Sequence, residues 1–322
     1  MSRPLPLLAL TLALPVVALV ALAQGDYPVS LPELLGALAG RSEGPVHLVV
    51  IDWRLPRVGL ALTAGAALGL AGALFQSITR NPLGSPDVIG LNAGAYTGAL
   101  LALILGGGQV LSGALLGGLV TALAVYLLAW RGGLHGTRLV LVGIGISAMA
   151  TAANTWLLMT ARLEVAMGAA TWGAGSLNGA TLAQLGPMAL ALPLLALGVA
   201  LLARPLRQLE LGDDLSRAQG VPVALVRLSG LGLGVVLTAL ATATAGPIAF
   251  VALAAPQIGR RLTGASGAAF LPAALTGALL LALADLVAAQ GLPGARQIPV
   301  GVVTLVLGGV YLLALLRLEA RK

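Results

Sequence analysis

The chain has 322 residues, of which 58% are apolar and 9% charged, so a water-soluble fold would have almost nothing with which to solvate its surface. A polytopic membrane protein needs no such coat. With no cysteine, disulfides, thiolate metal sites and cysteine nucleophiles are excluded; with Lys322 as the one lysine, so is the Gly-x-x-x-x-Gly-Lys-Ser/Thr loop that holds nucleotide phosphates.

A spanning helix needs about 20 apolar residues to cross roughly 30 Å at 1.5 Å per residue. The first candidate, 5 to 23, ends in Ala21-Leu22-Ala23 before Gln24 and so resembles a signal with its cleavage site. Its apolar core is long for a signal, and a retained helix is expected. In the loop of about 24 to 54, Ser30 and Glu33 have capping-box spacing, which predicts a short surface helix over Leu31 to Leu38. Spans follow at about 55 to 76, 87 to 106, 109 to 130, 138 to 160 and 183 to 203.

Between the second and third spans, Arg80 to Pro86 is stiffened by two prolines, Asn81 can satisfy a loop backbone group, and Asp87 is expected at the positive end of the next helix dipole. The segment of about 204 to 226, RPLRQLELGDDLSRAQGVPVALVR, reads as two short helices. Asp213 or Asp214 caps the first, Gly220 ends it in a left-handed conformation, and Pro222 opens the second. The alternative is an ordinary solvated connector.

The interval 226 to 259 is too long for one span and short for two, with Gly246-Pro247 as a break inside it. Charge parity favours two passes, the eighth span being short. With further spans at 268 to 289 and 299 to 317, ten crossings leave both termini cytoplasmic. Five of the 18 bases, Arg41, Arg54, Arg57, Arg162 and Arg296, then lie outside and thirteen inside, as the positive-inside tendency requires. The whole chain, 1–322, is expected to be a single all-α transmembrane domain.

Four glycine pairs spaced four apart, Gly65 and Gly69, Gly94 and Gly98, Gly113 and Gly117, Gly230 and Gly234, predict close helix packing. The net charge of +7 is scattered over short loops without aromatic interleaving, so membrane lipid and topology explain it better than nucleic acid. Catalysis lacks convergent groups: His47 and His135 fall on opposite sides, and Asp285 is the single carboxylate well inside a span. Asp285 suits either a bond to a neighbouring helix or a proton or substrate path. Neither a cofactor nor a metal site is expected. An intramembrane enzyme and an ATPase-independent channel or carrier remain as readings from other classes.

The stretches RLPR (54–57) leading into GLALTAGAALGLAGALFQ (59–76), RNPLG (80–84) with Pro86, and Gly212-Asp213-Asp214 with Gly220 resemble the FecCD/BtuC-type permease family. AGPIAFVALAAPQIGRRLTG (245–264), LPAALTGALLLALAD (271–285) and IPVGVVTLVLGG (298–309) extend the likeness over nearly the whole chain. That family imports ferric siderophores, haem and cobalamin through bacterial binding-protein-dependent ABC transporters. VGIGISAMATAANTWLLM (142–159), ATWGAGSLNG (170–179) and LELGDD (209–214) look most like the subunits for catecholate siderophores such as ferric enterobactin, with haem or cobalamin as the alternative cargo.

The resemblance implies a ten-helix subunit in the inner membrane that pairs with a second permease, alike or different, two cytoplasmic ATPases and an extracytoplasmic siderophore-binding protein. Gly212, Asp213, Asp214, Gly220 and Pro222 then belong to the segment that seats in the ATPase. Ser216 and Gln219 depart from the commoner alanine and leucine. Arg54 takes the place of the arginine that docks the binding protein; a second such arginine of cobalamin permeases falls near Gln290, with Arg296 as a substitute. Gln257 stands where Pro-His is usual. The family's path follows the fifth and tenth spans at the subunit interface, which nominates Ser147, Thr151, Asn154 and Thr155, whose hydroxyls can equally bond back to their own helix.

Overall fold

The computed structural model describes residues 4–106, 110–130, 136–291 and 298–319. Arg3, Arg131, His135, Arg296, Arg321 and Lys322 lie outside them. The described residues form helices and connections without a strand. In order these are α1 (Pro4–Ala23), α2 (Leu31–Leu38), α3 (Pro45–His47), a π-helical segment (Leu48–Arg54), α4 (Leu55–Thr79), α5 (Leu91–Ile104), α6 (Val110–Ala129) and α7 (Gly136–Thr160). There follow α8 (Leu163–Gly173), α9 (Leu182–Leu209), α10 (Asp213–Ala218), α11 (Val223–Ala245), α12 (Val251–Thr263), α13 (Phe270–Gln290) and α14 (Val300–Glu319).

Among the described residues, seven helical runs are long and apolar enough to cross a membrane: α1, Pro45–Thr79, α6, α7, α9, α11 and α13. Shorter apolar helices at α5 and at Val300–Leu313 in α14, and the 13-residue α12, fill the remaining predicted spans. The eighth is thus short, about 20 Å at the α-helical rise. The break lies where Gly246-Pro247 put it. Gly246, at φ 73° and ψ 179°, ends α11 in a conformation nearly reserved for glycine.

α4 is apolar all round and forms the axis of the bundle, 18 of its 25 residues being buried. α13, α11, α9 and α12 surround it. Close approach requires its glycines. A Cβ on Gly65 would strike the backbone of Gly277 and Ala278, and one on Gly69 the carbonyl of Ala273. Gly94 and Gly98 of α5 interlock in the same way with Gly113 and Gly117 of α6. Gly230 and Gly234 differ, since they seat the side chains of Ile78 and Phe75 rather than a backbone.

Four expectations need correction. Helix starts at Pro45, within the expected loop of 24 to 54, because the VHLVVIDW run continues the apolar surface of α4 outward. The connection of about 161 to 182, expected to be a loop between the spans at 138 to 160 and 183 to 203, contains α8, whose Trp172 stacks on Tyr96 of α5 with ring centroids 6.0 Å apart. The third span begins at Leu91 after a left-handed Gly90 rather than at 87, so Asp87 stands just before the helix start, with its carboxylate on Asn92 of the first turn. Finally, the 204-to-226 segment holds one short helix, α10; the second is the first turn of α11, continuous with the span. Leu31–Leu38, by contrast, forms as predicted, with both Ser30 and Glu33 in the capping box.

Candidate functional site

Two charged clusters stand at opposite ends of α4, about 37 Å apart over its 25 residues. One includes the 212-to-222 segment. Gly212 is the N-cap of α10 at φ 111° and ψ 153°, and Gly220 follows the helix at φ 81°. Pro222 is the N-cap of α11 and its carbonyl accepts from Val226 at 3.0 Å. Asp213 and Asp214 occupy the first turn of α10 and neither caps it, because glycine already holds that position. Asp214 pairs with Arg217 at the surface, 3.2 Å away.

Asp213 has a different task. Its carboxylate accepts two hydrogen bonds from Arg227 in α11, at 2.6 and 2.8 Å, and another from Arg80. Arg80 ends α4 in a left-handed conformation, φ 50°, and also donates to the Leu209 carbonyl at the end of α9. The Asp213 carboxylate therefore ties α10 to α4 and α11, and Arg80 extends the link to α9. Partial burial opposes its charge, but the hydrogen bonds and charges of Arg227 and Arg80 prevail and hold Asp213 below the usual carboxylate range. Ser216 is fully buried, its hydroxyl within reach of the Gln208 and Gly212 carbonyls at 2.8 and 2.6 Å, a link that alanine cannot make.

Beside this clasp lies a cavity of about 230 Å³ lined in part by Gln76, Arg80, Glu210 and Arg260. Gln76 donates to the Leu253 carbonyl at 2.9 Å and accepts from Arg260 at 3.3 Å, fastening α12 to α4. Gln257, without a role from sequence, bridges three elements. It donates to the Pro82 carbonyl at 2.7 Å and accepts from the Tyr311 hydroxyl of α14 at 3.2 Å. Asn81 accepts from the Leu83 N–H at 2.9 Å, the loop bond expected of it. Asp87 accepts from Asn92 at 2.7 Å and from the Phe250 N–H at 3.2 Å, joining the irregular segments before α5 and before α12.

The four α7 residues do not share one environment. Asn154 is buried and donates to the Ala93 carbonyl of α5 at 3.1 Å, while Ser147 packs against Gly90. Thr151 and Thr155 are exposed on the outer face of α7, and their hydroxyls bond back to the carbonyls of Ser147 and Thr151 at 2.8 and 3.0 Å. That face also exposes Leu141, Ile144, Met149 and Trp156.

At the opposite end, Arg54 turns onto its own chain. It donates to the carbonyls of Leu22 and Ala23 at 2.9 and 3.2 Å and of Tyr27 at 2.6 Å. Next to it, Arg57 forms a bidentate pair with the buried Asp285, at 2.9 to 3.1 Å, joining α4 to α13. Of the two readings of Asp285, the helix-to-helix bond is the one observed. Gln290 donates to Gln24 at 2.9 Å, and these groups line a cavity of about 460 Å³. Sequence reasoning named Asp213, Arg54 and Asp285 but missed their partners; polar residues four apart at the end of an apolar helix, Gln76 and Arg80, were the available signal.

The FecCD transport family pattern matches residues 12–318. The chain is 51% identical to the ferric enterobactin transport system permease protein FepG of Escherichia coli over 94% of its length and 92% of that protein's. It is 38% identical to the ferric enterobactin transport system permease protein FepD of the same organism, over 89% and 87%. A solved structure of a metal-chelate type ABC transporter in an inward-facing conformation superimposes with a TM-score of 0.83 at 28% identity, covering 98% of this chain and 99% of that one. A multi-pass helical bundle matched along nearly its whole length by sequence and by structure, this chain belongs to the FecCD transport family.

Proposed function

We propose that the chain is the pore-forming permease subunit of a binding-protein-dependent ABC importer in the bacterial inner membrane, that it passes a ferric catecholate siderophore, and that separate ATPase subunits drive it. The Asp213 clasp supports this reading most directly. A partner that pushes Gly212 to Pro222 from the cytoplasm moves a segment bonded to the bundle axis through Arg80 and to α11 through Arg227. Nucleotide binding can then favour one of two bundle states, provided the motors grip those states unequally. Both termini are cytoplasmic in this arrangement.

The exposed apolar faces of α7 and of α14, where Val302, Leu305, Val306 and Val310 point outward, suit a second permease subunit, alike or different. The cargo path follows that interface, with Thr151 and Thr155 facing it and Ser147 and Asn154 holding α7 against α5. The hydroxyls of Thr151 and Thr155 are satisfied within the helix, so cargo is held by shape and weak contacts. Arg54 serves the binding-protein face by fixing the turn after α1, with its remaining surface offered to a partner carboxylate. The ferric enterobactin permeases among the relatives favour catecholate cargo.

The test is uptake of labelled ferric catecholate, against haem and cobalamin, in a strain lacking this chain. Wild type restores catecholate uptake, whereas Asp213→Ala reaches the membrane in normal amount and neither restores uptake nor retains the ATPase on purification. Uptake of haem or cobalamin instead would reassign the cargo; uptake persisting with the ATPase inactivated would overturn the importer reading.

A further inference from the structure

A groove of about 620 Å³ opens between α1, α9 and the start of α13, with no lining residue from α7 or α14; at its Ala269 edge it adjoins the cavity beside the Asp213 clasp. Its apolar walls include Leu7 of α1, Ala196, Ala200 and Ala203 of α9, and Leu271 and Ala274 of α13. The three alanines recur at helical spacing on one face, so small side chains leave a slot where larger ones would have filled it. Arg207 and Ser266 line it too, at the helix-end side, where α9 finishes and the α12–α13 connection passes. From Ala196 to Arg207 the helix rises about 16 Å, roughly half of a 30 Å hydrocarbon core, so the groove has the depth of one leaflet. Its volume is within the roughly 300–1,000 Å³ of small-molecule sites.

We infer that this groove is a binding site for an anionic phospholipid, with an acyl chain along the alanine face and the phosphate at Arg207 and Ser266. On the orientation proposed above, the lipid comes from the cytoplasmic leaflet. Charge and depth select this occupant. Arg207 is exposed at the level where headgroups lie, and Arg204 stands one turn away on the same helix. The nearest acid on that helix end, Glu210, does not line the groove; its carboxylate accepts from Ser77 at 3.5 Å and lies against Gly267. A partner's spanning helix would need a slot of full membrane depth, and this one ends midway.

The experiment is native mass spectrometry of the purified full-length chain titrated with phosphatidylglycerol and, separately, phosphatidylcholine of the same acyl composition. Phosphatidylglycerol is expected to be retained preferentially. Arg207→Ala should lower its retention about fivefold, with phosphatidylcholine little changed. Ala203→Phe, which fills the slot, should displace both. Equal retention of the two lipids, or phosphatidylglycerol binding that survives Arg207→Ala, would overturn the site. If Ala203→Phe does not fold, Arg207→Ala, a surface change, decides alone. Crosslinking of the groove to a polypeptide in the assembled transporter would equally exclude a lipid there.

Discussion

Asp213 accepts from arginines 133 and 14 positions distant, and its lowered pKa fixes how that clasp responds to acid. A carboxylate depressed by folding contributes stability that is present above its unfolded value, about 3.9, and is lost as pH falls through the folded value below it. Hydrogen-exchange protection of α10 should therefore stay flat from about pH 8 to 5, where the group is charged in both states. Loss of protection already near neutrality would contradict the clasp. The Arg57–Asp285 pair is more deeply buried, with side chains 15% and 6% exposed. Asp285→Leu, which strands the guanidinium, is expected to lower stability by about 3–5 kcal/mol, whereas the double variant Arg57→Met with Asp285→Leu should recover most of it. Thermal unfolding of the purified proteins compares the three.

Among the elements, the interlocked α5 and α6 leave no room for added bulk. Gly98→Leu drives a side chain into the Gly113 backbone, and such overpacking costs about 1–3 kcal/mol or more. Gly232 in α11 has open space around the position of a Cβ, so Gly232→Ala should be neutral or stabilising by up to about 1 kcal/mol. Measured midpoints should separate the two variants in opposite directions. At α10 the constraint is backbone conformation instead. Gly212→Ala meets no neighbour, yet at φ 111° it is strained by about 1–3 kcal/mol, and the expected result is a displaced α10 with impaired ATPase retention. These elements were legible to different degrees. Glycine spacing announced the close crossings, since period-four pairs share a face whatever the neighbour. α8 and the helical turns from Pro45 were not legible as helices, because their apolar runs are short and read equally as loop cover.

For the whole molecule, orientation is open to direct measurement because the chain has no cysteine of its own. Single-cysteine variants Leu215→Cys in α10 and Leu35→Cys in α2, both at exposed positions, should react with an impermeant thiol reagent from opposite sides of the membrane, Leu215→Cys from the cytoplasm only. Labelling of Leu215→Cys in intact cells would invert the topology and remove the proposed contact with a motor.

Apolar run length, the Gly246-Pro247 break and the glycine pairs determined by themselves that this is a tightly packed bundle of apolar, membrane-length helices interrupted between α11 and α12. Each of these is a local property, fixed by the hydrocarbon thickness or by backbone sterics at one position. Only tertiary structure decided which helix lies at the centre, that Asp285 answers Arg57 across 228 positions, and that Gln257 joins Pro82 to Tyr311. Partnership of that kind depends on how each helix is rotated about its own axis and which neighbour it faces, and a nearly uniform apolar sequence offers little amphipathic contrast from which to read either.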